Sequence, residues 1–367
     1  MTHRSTVPPA RGYRVLIGCW LIAAAALFAW PTPLHAEPYM AVRTGFKCAQ
    51  CHVNRTGGGK RTEFGMVFAQ TSLPMTFIRP ADGPAFRDGM LSDMVSMGAN
   101  FRVDNETLFE SETSQGDRAE TSNEFHISEA NVYFQVDLIP SILLFYIDQT
   151  LTPLTANREA FGLLQGLPGD SYVKMGRMLL PYGLRLLDDN AFIRNRTGYT
   201  YDRHDKGAEL GLEPGPLSVV GNVTNTRGSV VGSVVYRHWR LGGSWARETT
   251  RSNSNSVGAF GGVTLGRLTL LGETDFITEG DTDKIAVMTE ISFLVLKGMN
   301  FKTVYEFFDG DRDIPNENDA QTRLTLGVEP FVTQFLQVGL FYRNNSFIPQ
   351  NLSENQDQLV LQFHAFF

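Results

Sequence analysis

Hydrophobic and polar residues alternate through most of this chain. In Asn131 to Leu138, Val132, Phe134, Val136 and Leu138 fall on one face, and Asn131, Tyr133, Gln135 and Asp137 on the other. A period of two belongs to a strand with an apolar medium on one side and water on the other. The same alternation predicts strands near 93–105, 124–138, 142–151, 170–178, 183–191, 207–213, 217–226, 229–238, 240–250, 256–265, 267–277, 283–296, 298–309, 319–330, 333–345 and 356–367. The count is sixteen, and the fifth strand, 183–191, is the weakest and rests partly on the even number that a closed antiparallel barrel needs.

The connections alternate as well. Tight links at Pro140, Pro214 to Pro216, around Trp239, at Gly266, at Lys297-Gly298 and around Val332 separate longer polar links at 106–123, 152–169, 192–206, 278–282, 310–318 and 346–355. Short periplasmic turns and long outer loops give that rhythm in a transmembrane barrel. A soluble sandwich or a lipocalin-like barrel also turns regularly, so the last strand discriminates. There Leu359, Leu361, Phe363, Ala365 and Phe367 alternate with Gln358, Val360, Gln362, His364 and Phe366. This resembles the closing strand of bacterial outer-membrane barrels, which ends in an aromatic residue. Residues 91–367 are therefore expected to be an all-β, transmembrane outer-membrane β-barrel of about sixteen antiparallel strands.

Composition agrees. Only 42% of residues are hydrophobic, with 35 Gly and 26 Phe, and the one long apolar run is Val15 to Trp30. That run follows Arg4, Arg11 and Arg14 and precedes Pro31, Pro33 and Ala36, the order of a secretory signal peptide over 1–36 with cleavage after Ala36. It is short for a spanning helix. Leu16-Ile17-Gly18-Cys19 has the look of a lipobox, but the apolar run continues beyond it. A formal charge of -7 excludes nucleic acid as a partner class.

Between leader and barrel stands Cys48-Ala49-Gln50-Cys51-His52, a C-x-x-C-H run. Two thiols at this spacing reach the two vinyl groups on one side of a porphyrin, and the next residue delivers its imidazole to the iron. A thioredoxin-type pair needs a βαβ setting and no following His, and a zinc site needs a second ligand pair. Of three cysteines, Cys19 lies in the leader, leaving Cys48 and Cys51. The expectation is one covalent haem c, with Cys48 and Cys51 as attachment points and His52 on the iron. Met66 and Met75 are the candidate distal ligands, with Met90 beyond them, and a His facing the lumen is a further source.

The segment 37–90 is too short to wrap a haem around a core of its own. Its walls are expected to come from the barrel, with the segment entering the periplasmic half of the pore as a plug; a loose periplasmic tail is the other arrangement. Arg43, Lys47, Arg55, Lys60 and Arg61 surround the motif and suit haem propionates or an acidic partner. Gly57-Gly58-Gly59 reads as a turn that lets backbone approach the porphyrin.

Val173 to Arg185, containing Pro181-Tyr182-Gly183, is similar to a strand and turn of phosphate-selective-type porins. On that likeness Asp188 to Arg203, with Asp188, Asp189, Arg194, Arg196 and Arg203, folds inward and narrows the pore. Acids gather in the outer links: Glu110, Glu112, Asp117, Glu120 and Glu124; Glu279, Asp281 and Asp283; Asp309, Asp311, Asp313, Glu317 and Asp319. They suit cation gathering or hydration at a lipopolysaccharide surface. The third group fails as a calcium loop, because Ile314 and Ala320 stand where a Gly and a Glu are required.

The order of parts resembles the fused outer-membrane monohaem cytochrome–porins of iron-oxidising bacteria, most specifically over residues 39–65. The resemblance implies electron transfer across the cell outer membrane from an extracellular donor such as Fe(II) to a periplasmic c-type cytochrome, an oxidoreductase role without protein catalytic residues. The alternative is a diffusion porin for small solutes whose haem segment gates or senses.

Overall fold

The computed structural model describes residues 37–76, 89–110, 122–153, 155–188, 190–201, 203–250, 253–314, 320–347 and 356–367. The leader and its cleavage site before Glu37 lie outside these residues, as do Glu112, Asp117, Glu120, Asp189, Glu317 and Asp319.

Sixteen antiparallel strands close into one barrel. They are β1 Val95–Glu110, β2 Ser122–Ile139, β3 Leu143–Thr152, β4 Ala156–Leu167, β5 Ser171–Leu179, β6 His204–Leu212, β7 Leu217–Thr224 and β8 Arg227–Tyr236. Then follow β9 Trp239–Glu248, β10 Ser254–Leu265, β11 Leu268–Glu279, β12 Thr282–Leu296, β13 Met299–Asp309, β14 Gln321–Thr333, β15 Leu336–Phe347 and β16 Gln356–Phe366. Each strand pairs with the next, and β1 closes on β16 from Asn100↔Phe366 to Glu110↔Gln356. Phe367 adds a pair of backbone hydrogen bonds with Ala99, at 3.0 and 3.1 Å. Closure leaves no unpaired strand edge, which a backbone in lipid requires.

The alternation places charge inside and hydrocarbon outside. On β12, Glu290 and Ser292 are buried in the interior while Ile291, Phe293 and Val295 are exposed on the outer face. Met175, Leu210, Leu241 and Phe276 likewise point outward, and Glu159, Glu209, Glu273 and Glu306 inward. A soluble globule has the opposite arrangement. Among the described residues no helix is long and apolar enough to cross a membrane.

Two strand expectations fail, and their errors cancel in the count. The expected link 152–169 contains β4, and the expected strand 183–191 is not a strand. In β4 the register slips against β3 between Asp148 and Gln149, so that adjacent Arg158 and Glu159 are both buried and the period of two is broken. In 183–191 the alternation is real, with Leu184 and Leu186 buried, but the two sides it faces are lumen contents and wall rather than lipid and water. The outer acids Glu110, Glu124, Glu279, Asp283 and Asp309 belong to strand ends, and at Glu110 and Glu279 the wall extends beyond the expected boundaries.

Among the described residues, two segments fill the interior. The first is residues 37–76, with α1 Pro38–Thr44, α2 Cys48–Cys51 and α3 Glu63–Thr71. The second is the link from Leu180 to Arg203, which carries the single turn α4 Phe192–Asn195. They share one apolar core with the wall: Tyr39, Met40, Phe68 and Leu73 from the first, Leu184 and Ile193 from the second, Leu271, Met288 and Phe331 from the barrel.

Candidate functional site

The N-terminal segment is fixed at the short-turn end of the barrel. Met75 N–H donates to the Phe331 carbonyl at 2.8 Å, and Lys47 Nζ donates to the carbonyls of Glu213 and Leu217 at 2.6 Å. Deeper in, Asn54 Nδ2 donates to both Glu159 oxygens at 2.8 and 3.0 Å. Arg55 pairs with buried Glu213 and reaches Asp170, while Arg43 donates to Asn300 at 3.0 Å and Thr269 at 3.3 Å. Lys60 Nζ donates to Gln135. Four of the five cations around the C-x-x-C-H run are therefore wall anchors, and two of the five line a cavity beside His52, Lys47 one and Arg61 the other.

The motif forms one short helical turn. Cys48 and Cys51 sit three positions apart on α2, on one face, with free thiols. His52 ends the turn in an extended conformation, its N–H donating to the Cys48 carbonyl at 2.9 Å. The loop that follows closes on itself through Val53 N–H to Lys60 O at 3.0 Å, Thr62 N–H to Cys51 O at 3.0 Å and a bridge between His52 and Arg61. Gly58 and Gly59 have positive φ, and a Cβ on them would lie 2.6 Å from Tyr201 and 2.2 Å from the Tyr146 hydroxyl. The glycine run is thus a close-packed turn against lumen tyrosines.

One cavity is lined by Cys48, Cys51 and His52 together. Its other walls include Phe46, Phe68, Leu184, Leu187, Tyr201 and the cations Arg185 and Arg240. A second cavity reaches His52 from the other side, between Arg61, Tyr133, Met40 and His364. The His52 imidazole is enclosed, and burial first, then Arg61, pushes its pKa down to about 3, so it is neutral and a competent donor. Its Nδ1 has no hydrogen-bond partner among the described residues, nor have Arg61 Nε and Arg240 Nε. Burial, then Cys48, pushes the Cys51 thiol up to about 11. Two free thiols, a neutral imidazole, aromatic and aliphatic walls and incompletely paired guanidinium groups fit a covalent haem and its propionates.

The methionines fall elsewhere. Met66 is buried on α3, Met75 and Met90 are exposed near the short-turn end, and none lines either cavity at His52. Met40 and His364 do line one. Met40 precedes the motif and carries no sequence signal of its own. His364 is held by Gln337 at 3.0 Å and by Asn100. His238 touches the Arg43 carbonyl, and His126 lies 3.8 Å from Asp104 toward the outer end. Sequence reasoning also passed over Arg240 as a cavity residue, because nothing in its strand distinguishes an inward Arg beside a plug from one facing water.

The Leu180–Arg203 link folds inward, as the porin likeness of Val173 to Arg185 implied for Asp188 to Arg203. Leu184 N–H donates to Glu273 at 2.6 Å, Tyr182 Oη to Asp275 at 2.9 Å and Phe192 N–H to Glu306 at 2.7 Å. Asp188 bridges Arg323 at 2.8 Å and Arg343 at 3.2 Å. Burial works to raise the Asp188 pKa, but Arg323 and Arg343 outweigh it and hold the carboxyl below the usual range. Arg185 Nη1 donates to the Gly57 carbonyl at 2.8 Å, tying this link to the haem-motif loop. Beyond it lies a chamber of about 590 Å³, lined by Arg102, Asp104, Arg196, Arg343 and other charged groups. Among the described residues no three acidic, His or Cys side chains are placed to hold a metal ion.

No family model matches the chain, and no curated protein is similar to it. Solved structures are. An anion-selective porin from Comamonas acidovorans shares a TM-score of 0.57 at 12% identity, over 74% of this chain and 100% of that one. OmpF of Salmonella typhi, solved with daunomycin, gives 0.58 at 9% over 76% and 99%. A loop-deleted OmpT, an outer-membrane protein of Vibrio cholerae, gives 0.57 at 12% over 74% and 99%. At such identities the likeness is one of fold, and the chain has the fold of the outer-membrane porins.

Proposed function

We propose that this barrel lies in the outer membrane and moves single electrons across it through one haem c, bound by Cys48 and Cys51 with His52 on the iron. The observation that carries the reading is that the whole C-x-x-C-H motif lines one cavity inside a porin-type barrel, with His52 Nδ1 and nearby guanidinium nitrogens lacking partners. A bound haem supplies reversible one-electron exchange at its iron. The chain's own residues would do the rest: Phe46, Phe68 and Leu184 would wall a bound porphyrin from water, Arg185 and Arg240 would answer its propionates, and Arg55 and Asn54 hold the motif to the wall. An extracellular donor such as Fe(II) and a periplasmic c-type cytochrome are the partners this reading names. In proteoliposomes, external Fe(II) is expected to reduce entrapped cytochrome c only when the haem is present; no reduction above protein-free vesicles contradicts it.

A second reading is a solute porin gated by its haem segment. The porin-type neighbours and the charged chamber of about 590 Å³ favour it. It predicts large ion conductance in a planar bilayer, where the electron-transfer reading predicts little.

A further inference from the structure

One buried charge cluster in the lumen does not balance. Lys302 Nζ lies 2.7 Å from a Glu37 oxygen, 3.3 Å from Glu329 and 4.0 Å from Glu290. The other cation here is Arg43, held by Asn300 and Thr269. Three carboxylates thus meet two cations, whereas the adjoining cluster of Glu306 and Asp188 is matched by Arg323 and Arg343. Glu290 is 2% exposed, and its Oε1 has no hydrogen-bond partner among the described residues. An unsatisfied buried carboxylate oxygen is costly enough to need an explanation.

Glu37 caps α1 from within the same chamber as Glu290 and Glu329. Its backbone N–H is directed at Met40 Sδ, a weak acceptor. Glu37 is also the residue that follows the expected cleavage point Ala36. Hydrolysis of the Ala36–Glu37 bond adds water across it, leaving a carboxylate on Ala36 and an amine on Glu37 that takes up a proton.

We propose that the α-ammonium made at Glu37 by removal of the leader is the third cation of this cluster, so that export processing seats the plug. An uncut chain presents an uncharged amide at this place and leaves three carboxylates against two cations. The ordinary α-amino pKa is about 8, and beside carboxylates the charged form is favoured against the burial that opposes it. The positive end of α1 opposes a cation at its N-terminus, but α1 has only seven residues and the carboxylates outweigh it.

The test is acetylation of the full mature protein in micelles with an N-hydroxysuccinimide ester, read by mass spectrometry. The expected N-terminal residue is Glu37, and its amine should react about tenfold more slowly in the folded than in the urea-unfolded chain, while exposed Lys206 changes little. Glu290→Gln should speed acetylation of the folded amine several-fold, and the rim variant Glu248→Gln should not. A mature N-terminus at another residue, equal rates in folded and unfolded protein, or no effect of Glu290→Gln overturns the proposal. If Glu290→Gln does not fold, the wild-type rates decide alone.

Discussion

The wall of this barrel and the contents of its lumen are built on different rules. The wall is held by continuous backbone ladders between sequence neighbours, with one apolar and one polar face. The contents, residues 37–76 and 180–203, contribute few backbone bonds to the wall and are held by side chains: Asn54 on Glu159, Arg55 on Glu213, Asp188 on Arg323 and Arg343. The wall is one cooperative object, and the contents are docked ligands of it that share its chain. In the proposed function, the working group sits in the part that is easier to remove.

The harshest way to break the comparison is to delete residues 37–76. The barrel should still fold and migrate as a heat-modifiable band, because its strands pair with one another all the way round without the segment, while single-channel conductance rises by roughly an order of magnitude. Failure of the deleted chain to fold would make the plug part of the wall. An attack on the wall itself should show the reverse. Leu210→Arg places a cation on the lipid face of β6 and should cost about 2–4 kcal/mol of barrel stability in urea titrations while leaving the cavity at Cys48, Cys51 and His52 intact.

Milder changes should loosen the contents alone. Arg55→Ala leaves Glu213 buried without its cation and should weaken docking by about 3 kcal/mol. The expected readout is faster proteolysis within 37–76 at unchanged barrel melting. The smallest effect is a pH response of the inward link. Asp188 has a folded pKa below its unfolded value, so its contribution is complete above about pH 4 and is lost as pH falls through the folded value. Conductance should therefore increase on acidification below about pH 4, and Asp188→Asn should remove that part of the response.

The same contrast explains what the sequence made legible. Period-two alternation and link lengths revealed almost every strand, because lipid outside and water inside impose one pattern on all of them. They failed where a bulge put Arg158 and Glu159 on the same side, and at Leu184 and Leu186, whose alternation reflects lumen and wall. In the candidate site, the grouping of Cys48, Cys51 and His52 around one cavity was legible because a single short turn carries all three. Arg240 and His364 were not marked out as neighbours of His52, because they meet it only through closure of the barrel around the plug, and Met40 reaches it by the folding of α1 within the plug, which leaves no mark in the sequence.

The most direct measurement is the pyridine haemochrome spectrum of the purified, exported chain, with Cys48→Ala alongside. The account predicts one haem per chain with two thioether bonds, and a spectrum shifted to a single thioether or lost in the variant. A haem-free protein with both thiols titratable, made in cells that load a control c-type cytochrome, would contradict it.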